Sequence, residues 1–112
     1  MAASRMTEPT YLVLLALADE PRHGYGIVQE VRALSDGDVR LGAGTLYGVL
    51  DRLVAAGQIA PDHEEVVDGR LRRYYRITES GSAAAAVETE RLAALARRAR
   101  RVLAPRPALG NA

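Results

Sequence analysis

Apolar residues recur at helical spacing in three segments of the chain before residue 58. The first segment runs from Tyr11 to Ala18, and Thr7 is placed to cap it, because a threonine hydroxyl accepts a hydrogen bond from first-turn amides. The second starts near His23 and ends in a polar turn at residues 35–38. Its expected buried stripe is Ile27, Val28, Val31 and Leu34. Three short helices with short connections indicate a helix-turn-helix core.

The third segment, residues 43–56, combines an apolar stripe with a small and polar opposite face, and Gly57 follows it as a helix stop. Its apolar stripe is Leu46, Val49, Leu50 and Leu53. Its opposite face carries Thr45, Tyr47, Asp51 and Arg52. Gly42 and Gly44 let the backbone approach another surface closely. Such a helix suits the major groove of DNA, because its N-terminal amides and hydroxyls can bind phosphate oxygens.

Two segments that flank the turn residues Val67-Asp68-Gly69 predict a β-hairpin, for which two registers are possible. The two strands are expected at residues 58–66 and 70–77. A two-residue Asp-Gly turn would pair Val67 with Arg70 and would put Ile59 and Ile77 on opposite faces.

The alternative is a three-residue loop, residues 67–69, that ends in a left-handed Gly69. It places Ile59 opposite Ile77 and on the same face as Tyr75. We favour this register, because one face of the hairpin then buries all three side chains together.

The charges of the hairpin cancel, since residues 70–76 hold four arginines and residues 62–68 hold four acidic residues. In one interpretation these residues form a ladder of cross-strand ion pairs, with Glu64 opposite Arg72. In the other, the hairpin is a wing whose tip contacts the DNA backbone or minor groove. Arg70 is then the expected contact, and Arg72 is expected to be partly occupied by Glu64.

The C-terminal stretch predicts one long helix, capped by Thr78 and continuing to about Leu103. Its apolar stripe is Leu92, Leu95, Ala96, Ala99, Val102 and Leu103. The small N-terminal core could not cover this stripe fully, so we expect a second copy of the chain to do so in a two-fold dimer. The expected interface residues are Leu92, Leu95, Ala99 and Val102. Arginines off the stripe are expected in solvent, or alternatively beside DNA or an acidic partner.

Together these elements predict a mainly α fold with a small β-hairpin wing (α+β), a winged helix-turn-helix with a C-terminal dimerisation helix. We expect a winged-helix domain at residues 7–77, the dimerisation helix at 78–103 and a disordered tail at 104–112.

Composition narrows the class of protein. The chain has 112 residues, and its 48% hydrophobic content includes no Phe or Trp, so its core is expected to be lean. No apolar run approaches the roughly 18 residues that a membrane span needs. The first residues lack the apolar stretch of a signal peptide, and a cytoplasmic protein is expected. The absence of Cys excludes disulfides and thiolate metal sites.

Charge and motifs argue against catalysis without proving nucleic-acid binding. The net charge is only +1, although all 15 basic residues are arginines, either because arginine suits phosphate and guanine or because of genome composition. Gly42, Gly44 and Gly48 miss the dinucleotide-binding spacing, and no phosphate-binding P-loop motif is present. His63 and Glu64 lack the second histidine of a metalloprotease helix. We expect no enzyme, no catalytic residues, no cofactor and no metal site.

Four segments between about residues 7 and 81 share a recognisable order and spacing. They are Tyr11-Leu12-Val13-Leu14-Leu15-Ala16-Leu17, His23-Gly24-Tyr25-Gly26-Ile27, Gly44-Thr45-Leu46-Tyr47 with Leu50, Arg52, Leu53 and Gly57, and Arg73-Tyr74-Tyr75-Arg76-Ile77-Thr78 with Gly81. In this order and with this spacing, they resemble the PadR family of bacterial transcriptional regulators. The resemblance implies a homodimeric winged helix that binds a pseudopalindromic operator in double-stranded DNA. It also implies repression that a small-molecule effector releases.

The resemblance also suggests residue roles. Thr45 and Tyr47 fall where the family contacts DNA with its recognition helix, and Tyr25 falls where a second-helix tyrosine supports or touches the backbone. The full set of expected DNA contacts is Tyr25, Gly44, Thr45, Tyr47, Arg70 and Arg72. The family commonly has proline where this chain has Gly48, and glycine costs a helix about 1 kcal/mol relative to alanine, so a softer helix is expected.

Two further expectations concern partners. Some relatives stack flat aromatic drugs between tryptophans at the dimer interface, and this chain, without Trp or Phe, is predicted not to use that mode. The low net charge and the neutral hairpin leave one alternative open, a winged-helix protein-interaction module without sequence-specific DNA binding.

Overall fold

A computed structural model describes residues 6–106, which form four helices and a three-stranded antiparallel sheet. The elements in chain order are α1 (Glu8–Ala16), β1 (Arg22–His23), α2 (Gly24–Leu34), α3 (Ala43–Ala55), β2 (Ile59–Val67), β3 (Arg70–Ile77) and α4 (Glu79–Leu103). The predicted α+β winged-helix class is therefore confirmed. Of the predicted tail, residues 104–106 follow α4 without regular structure, and residues 107–112 lie outside the described residues.

The first two helices form the base of the core largely as predicted. The Thr7 hydroxyl accepts a hydrogen bond from the Thr10 amide at 3.3 Å and caps α1. Ile27 and Val31 of α2 are fully buried. Leu34, however, is 47% exposed, so its expected burial is wrong. The reason is its place in the last turn of α2, where it lines an open groove between α1, α2 and α4 instead of the core.

The third helix buries the predicted stripe and turns its other face outward. The buried residues are Leu46, Val49, Leu50 and Leu53. Gly57 follows with φ of +73°, a left-handed conformation that favours glycine, and the Gln58 amide donates to the Leu53 carbonyl at 2.9 Å. The helix is thus fixed against the core along one side only.

The sheet contains a strand that the sequence pattern did not predict. β1 has only two residues, and it pairs with β3 so that Arg22 lies opposite Tyr75 and His23 opposite Tyr74. Arg22 Nε donates to the Ala16 carbonyl at 2.7 Å, at the end of α1. β1 therefore fixes the hairpin against the start of α2.

The turn of the hairpin differs from the favoured prediction. Val67 pairs with Arg70 across a two-residue turn in which Asp68 and Gly69 both have positive φ, of 52° and 76°. These angles are those of a type I′ turn, whose twist matches that of the strands. The favoured three-residue loop is therefore wrong.

Ile59 nevertheless lies opposite Ile77, because a bulge in β2 shifts the register by one residue. The bulge falls between Pro61 and Glu64. Beyond it, Glu64 lies opposite Arg73 and Glu65 opposite Arg72, so the expected pairing of Glu64 with Arg72 is wrong.

The last helix begins on the core and then leaves it. The Thr78 hydroxyl accepts from the Gly81 amide at 3.1 Å, as the predicted cap requires. The buried residues of α4 are Gly81, Ala85 and Glu88. From Leu92 onward its apolar side chains are largely exposed. Within residues 6–106, no helix has the length and apolar character needed to cross a membrane.

Candidate nucleic-acid interface

The exposed N-terminus of α3 presents backbone donors. Gly42 is its N-cap and provides no side-chain hydrogen bond, and no acidic residue lies in the first turn. Gly44 and Thr45 are exposed there, and a β-carbon added at Gly44 would meet no atom within 4 Å. Backbone amides and the positive end of the helix dipole favour an anion at such a terminus.

Two tyrosines flank this terminus. Tyr47 of α3 is 54% exposed and Tyr25 of α2 is 67% exposed. The Tyr47 hydroxyl lies over the start of α2, only 3.2 Å from where a β-carbon at Gly24 would be. A side chain at residue 24 would push the Tyr47 hydroxyl back by a few tenths of an ångström, so glycine there favours the close approach of the two helix starts.

A groove of about 830 Å³, the interface groove, separates these helix starts from β3. Its polar and aromatic lining includes Tyr25, Tyr47, Asp51, Arg70, Arg72 and Arg73. Four of the six predicted DNA contacts, Tyr25, Tyr47, Arg70 and Arg72, thus line one groove. The other two, Gly44 and Thr45, belong to α3 but lie outside the lining of the groove. Arg73 and Asp51 were not among the predicted contacts, although the Arg-rich run and the outer face of α3 contained the signal.

The arginines of the groove differ in their partners. Arg73 Nε lies 3.3 Å from Glu64 Oε2. Among the described residues, no carboxylate is within ion-pair distance of Arg70 or Arg72. The expectation that Glu64 occupies Arg72 is therefore wrong, because the bulge shifts Glu64 to Arg73. One ion pair of the predicted cross-strand ladder is therefore present, between Arg73 and Glu64. Arg70 and Arg72, near the turn, remain available to bind an anion.

The bulge of β2 assembles an aromatic and acidic cluster that sequence reasoning missed. The His63 ring stacks on Tyr74 with centroids 4.2 Å apart, and its two nitrogens contact Asp62 Oδ2 and Glu65 Oε1. The Tyr74 hydroxyl donates to Glu65 Oε2 at 3.0 Å. The hydrogen bond with Asp62 is the main cause that raises the pKa of His63. The pKa of His23, 5.2 Å from the Tyr74 ring, is lowered mainly by partial burial.

The outer part of α4 carries the predicted interface residues. Leu95 is 51% exposed and Val102 is 80% exposed, while Leu92 is also exposed and Ala99 is half-buried. Nearer the core, Arg91 donates to both carboxylate oxygens of Glu88, at 2.9 and 2.6 Å. An apolar stripe therefore projects beyond the part of the helix that the core covers.

Comparison with known proteins places this architecture in a family. Residues 13–87 match the model of the transcriptional regulator PadR-like family. A Mycobacterium tuberculosis protein described as a transcriptional regulator is 42% identical over 85 residues, which cover 76% of each chain. The crystal structure of a PadR family transcriptional regulator from Eggerthella lenta is 27% identical, with a TM-score of 0.70, over 87% of this chain and 82% of that chain.

A PadR family transcription regulator from Clostridium difficile shares the fold at 19% identity, with a TM-score of 0.73 over 87% of this chain and 99% of that chain. The resemblance that the four sequence segments indicated is thus confirmed, and so is the expectation that the chain is a regulator and not an enzyme. The chain belongs to the PadR-like family of transcriptional regulators.

Proposed function

We propose that this chain is a DNA-binding repressor that acts as a homodimer on a pseudopalindromic operator. The observation that carries the proposal is the interface groove, which combines the exposed face of α3 with two arginines of β3 that lack ion-pair partners among the described residues. A recognition helix and a basic wing around one groove are what a winged helix needs to bind duplex DNA.

The helix starts supply the first set of contacts. Thr45 and the amides around Gly44 bind a phosphate at the positive end of α3, and Tyr47 contacts the DNA beside them. Tyr25, the more exposed of the two tyrosines, reaches the neighbouring backbone from the start of α2. These contacts position α3 in the major groove.

The wing supplies the second set. Arg70 lies directly after the turn, and Arg72 lies on the same strand two residues later. Guanidinium groups without carboxylate partners bind phosphates without first breaking an ion pair. We therefore assign backbone contacts to both residues, with Arg70 closest to the tip.

The exposed stripe of α4 supports the dimer. In this proposal residues 7–77 bind DNA, while residues 78–103 carry the interface through Leu92, Leu95, Ala99 and Val102. A two-fold dimer would place its two α3 helices in successive major grooves, about 34–36 Å apart. We extend the proposal to repression of transcription, to release from DNA by a small-molecule effector and to a cytoplasmic location, and membership of a family of transcriptional regulators supports all three.

The α3 contacts are tested by removing single groups. Thr45→Ala and Tyr47→Ala should weaken operator binding by about 10- to 100-fold, since hydrogen bonds to charged groups contribute about 1.5–3 kcal/mol. Thr45→Ser keeps the hydroxyl and is the matched control. Ser82→Ala is a second control, because it removes an exposed hydroxyl on α4, away from the proposed DNA contacts. Fluorescence anisotropy measures affinity, and circular dichroism checks folding. Wild-type affinity in both alanine variants would exclude α3 as the recognition helix.

A further inference from the structure

The outermost ridge of α3 carries a single polar side chain. At 3.6 residues per turn, four positions lie within roughly 30° of the direction opposite the buried stripe. These positions are Gly44, Gly48, Asp51 and Ala55. Three of them extend no further than a β-carbon, so the exposed Asp51 is the group that reaches furthest from this ridge.

The chain leaves this ridge open at Gly44, and at Gly48 the side chain of Arg52 lies beside it. A β-carbon at Gly44 would have no neighbour within 4 Å, and one at Gly48 would meet only Arg52 Nη1, at 3.5 Å. A surface that fits against the ridge can therefore approach the backbone of α3 closely, which brings the short side chain of Asp51 within reach of it.

The carboxylate of Asp51 is placed among arginines without being paired to them. It lines the interface groove with Arg70, Arg72 and Arg73, and Arg73 is paired with Glu64. Among residues 6–106, no cationic side chain lies within ion-pair distance of Asp51. An ion pair with the wing therefore does not account for this acidic residue, which on electrostatic grounds alone opposes phosphate binding.

A carboxylate only accepts hydrogen bonds, which limits what it can bind in the major groove of DNA. There the amino groups of cytosine (N4) and adenine (N6) are donors, whereas guanine and thymine present oxygen acceptors that repel a carboxylate. We propose that Asp51 is a specificity-determining residue that accepts a hydrogen bond from the amino group of one base in each operator half-site. This inference rests on the proposed function.

The test is selection of bound sequences from a randomised duplex library, followed by sequencing, with the full-length wild type and Asp51→Ala. The wild type should prefer cytosine or adenine at one symmetric position in each half-site, by about 5- to 150-fold. Enrichment of cytosine would identify its N4 amino group as the donor, and enrichment of adenine would identify its N6 amino group. Asp51→Ala should lose the preference at that position alone and should bind unrelated DNA more tightly, because a negative charge near the phosphates is removed.

Two further variants separate hydrogen bonding from charge. Asp51→Asn is neutral and can donate as well as accept, so it should shift the preference towards adenine. Glu90→Gln removes one negative charge from an exposed position on α4 and should leave every base preference unchanged.

The results of these experiments distinguish failure of the proposed role of Asp51 from failure of the proposed DNA binding. Base preferences identical in wild type and Asp51→Ala, with affinity raised equally for all sequences, would overturn the role of Asp51 while leaving DNA binding intact. A wild type that binds no DNA would overturn the proposed function and the role of Asp51 with it.

Discussion

Gly48 lies at the centre of the outer face of α3, where single residues decide how the helix meets another surface. An alanine there would make only an ordinary contact, with Arg52 at 3.5 Å. Gly48→Ala should therefore stabilise the fold by about 0.5–1 kcal/mol, because alanine favours helix. The same methyl group should weaken operator binding, since it fills the open ridge. Urea unfolding and anisotropy measure the two effects.

Ala55→Gly on the same ridge is the matched control for stability, and it should destabilise the helix. A Gly48→Ala variant no more stable than wild type would contradict the view that this glycine softens α3. Unchanged operator affinity would show that the ridge does not approach the DNA.

The pKa values of the two histidines should lie on opposite sides of the ordinary imidazole pKa, with His63 above it and His23 below it. His63 has a raised pKa because of its hydrogen bond with Asp62 and its contact with Glu65, whereas burial lowers the pKa of His23. A raised folded pKa means that protonated His63 stabilises the wing fully below its unfolded pKa. That stabilisation is lost as pH rises through the raised value.

NMR titration of the imidazole protons tests this order, with His63→Gln to assign the signals. His63 should titrate above His23, and Asp62→Asn should lower the midpoint of His63 selectively. A His63 midpoint at or below that of His23 would contradict the bulge geometry.

At the scale of elements, local signals were predictable from sequence and pairing between distant segments was not. The caps at Thr7 and Thr78 and the buried stripe of α3 depend on neighbouring residues, and all three are confirmed. The bulge of β2 depends on how both ends of the hairpin pack, so no single stretch encodes it. β1, with two residues, is too short to show alternation.

The same limit applies to the candidate site. The outer face of α3 could be read from its periodicity, whereas the partners of Arg72 and Arg73 depend on the register. The cluster around His63 lies at the bulge, where the His63 ring stacks on Tyr74. Sequence reasoning could therefore name the main elements of the site but could not assign its ion pairs.

The junction between β2 and α4 depends on Gly81. A β-carbon there would overlap the Gln58 carbonyl oxygen and would lie 3.0 Å from Ile77 Cγ1. Gly81→Ala should destabilise the protein by about 1–3 kcal/mol, as overpacking does, because a backbone carbonyl cannot move aside cheaply. Urea unfolding measures the loss. Ser82→Ala, one residue later and exposed, should change stability little, and equal stabilities of the two variants would contradict this contact.

At the scale of the whole molecule, the exposed stripe of α4 should determine oligomeric state. Leu95→Asp places a charge at the centre of the proposed interface, where burial without a partner is strongly unfavourable. The variant should be monomeric in analytical ultracentrifugation and should lose operator affinity as a consequence. Val87→Asp adds the same charge at a position that is 71% exposed on another side of α4 and should remain dimeric. A dimeric Leu95→Asp protein would contradict the proposed interface.

The most direct test of DNA binding is a fluorescence-anisotropy titration of the wild type at several salt concentrations. The probe is the duplex immediately upstream of the protein's own gene, with a scrambled duplex as control. We predict preferential binding of the upstream duplex with two chains per site. Affinity should fall with salt along a log–log slope of about −0.9 for each phosphate contacted. Failure to bind either duplex at low salt would contradict the proposal and favour a protein-interaction module.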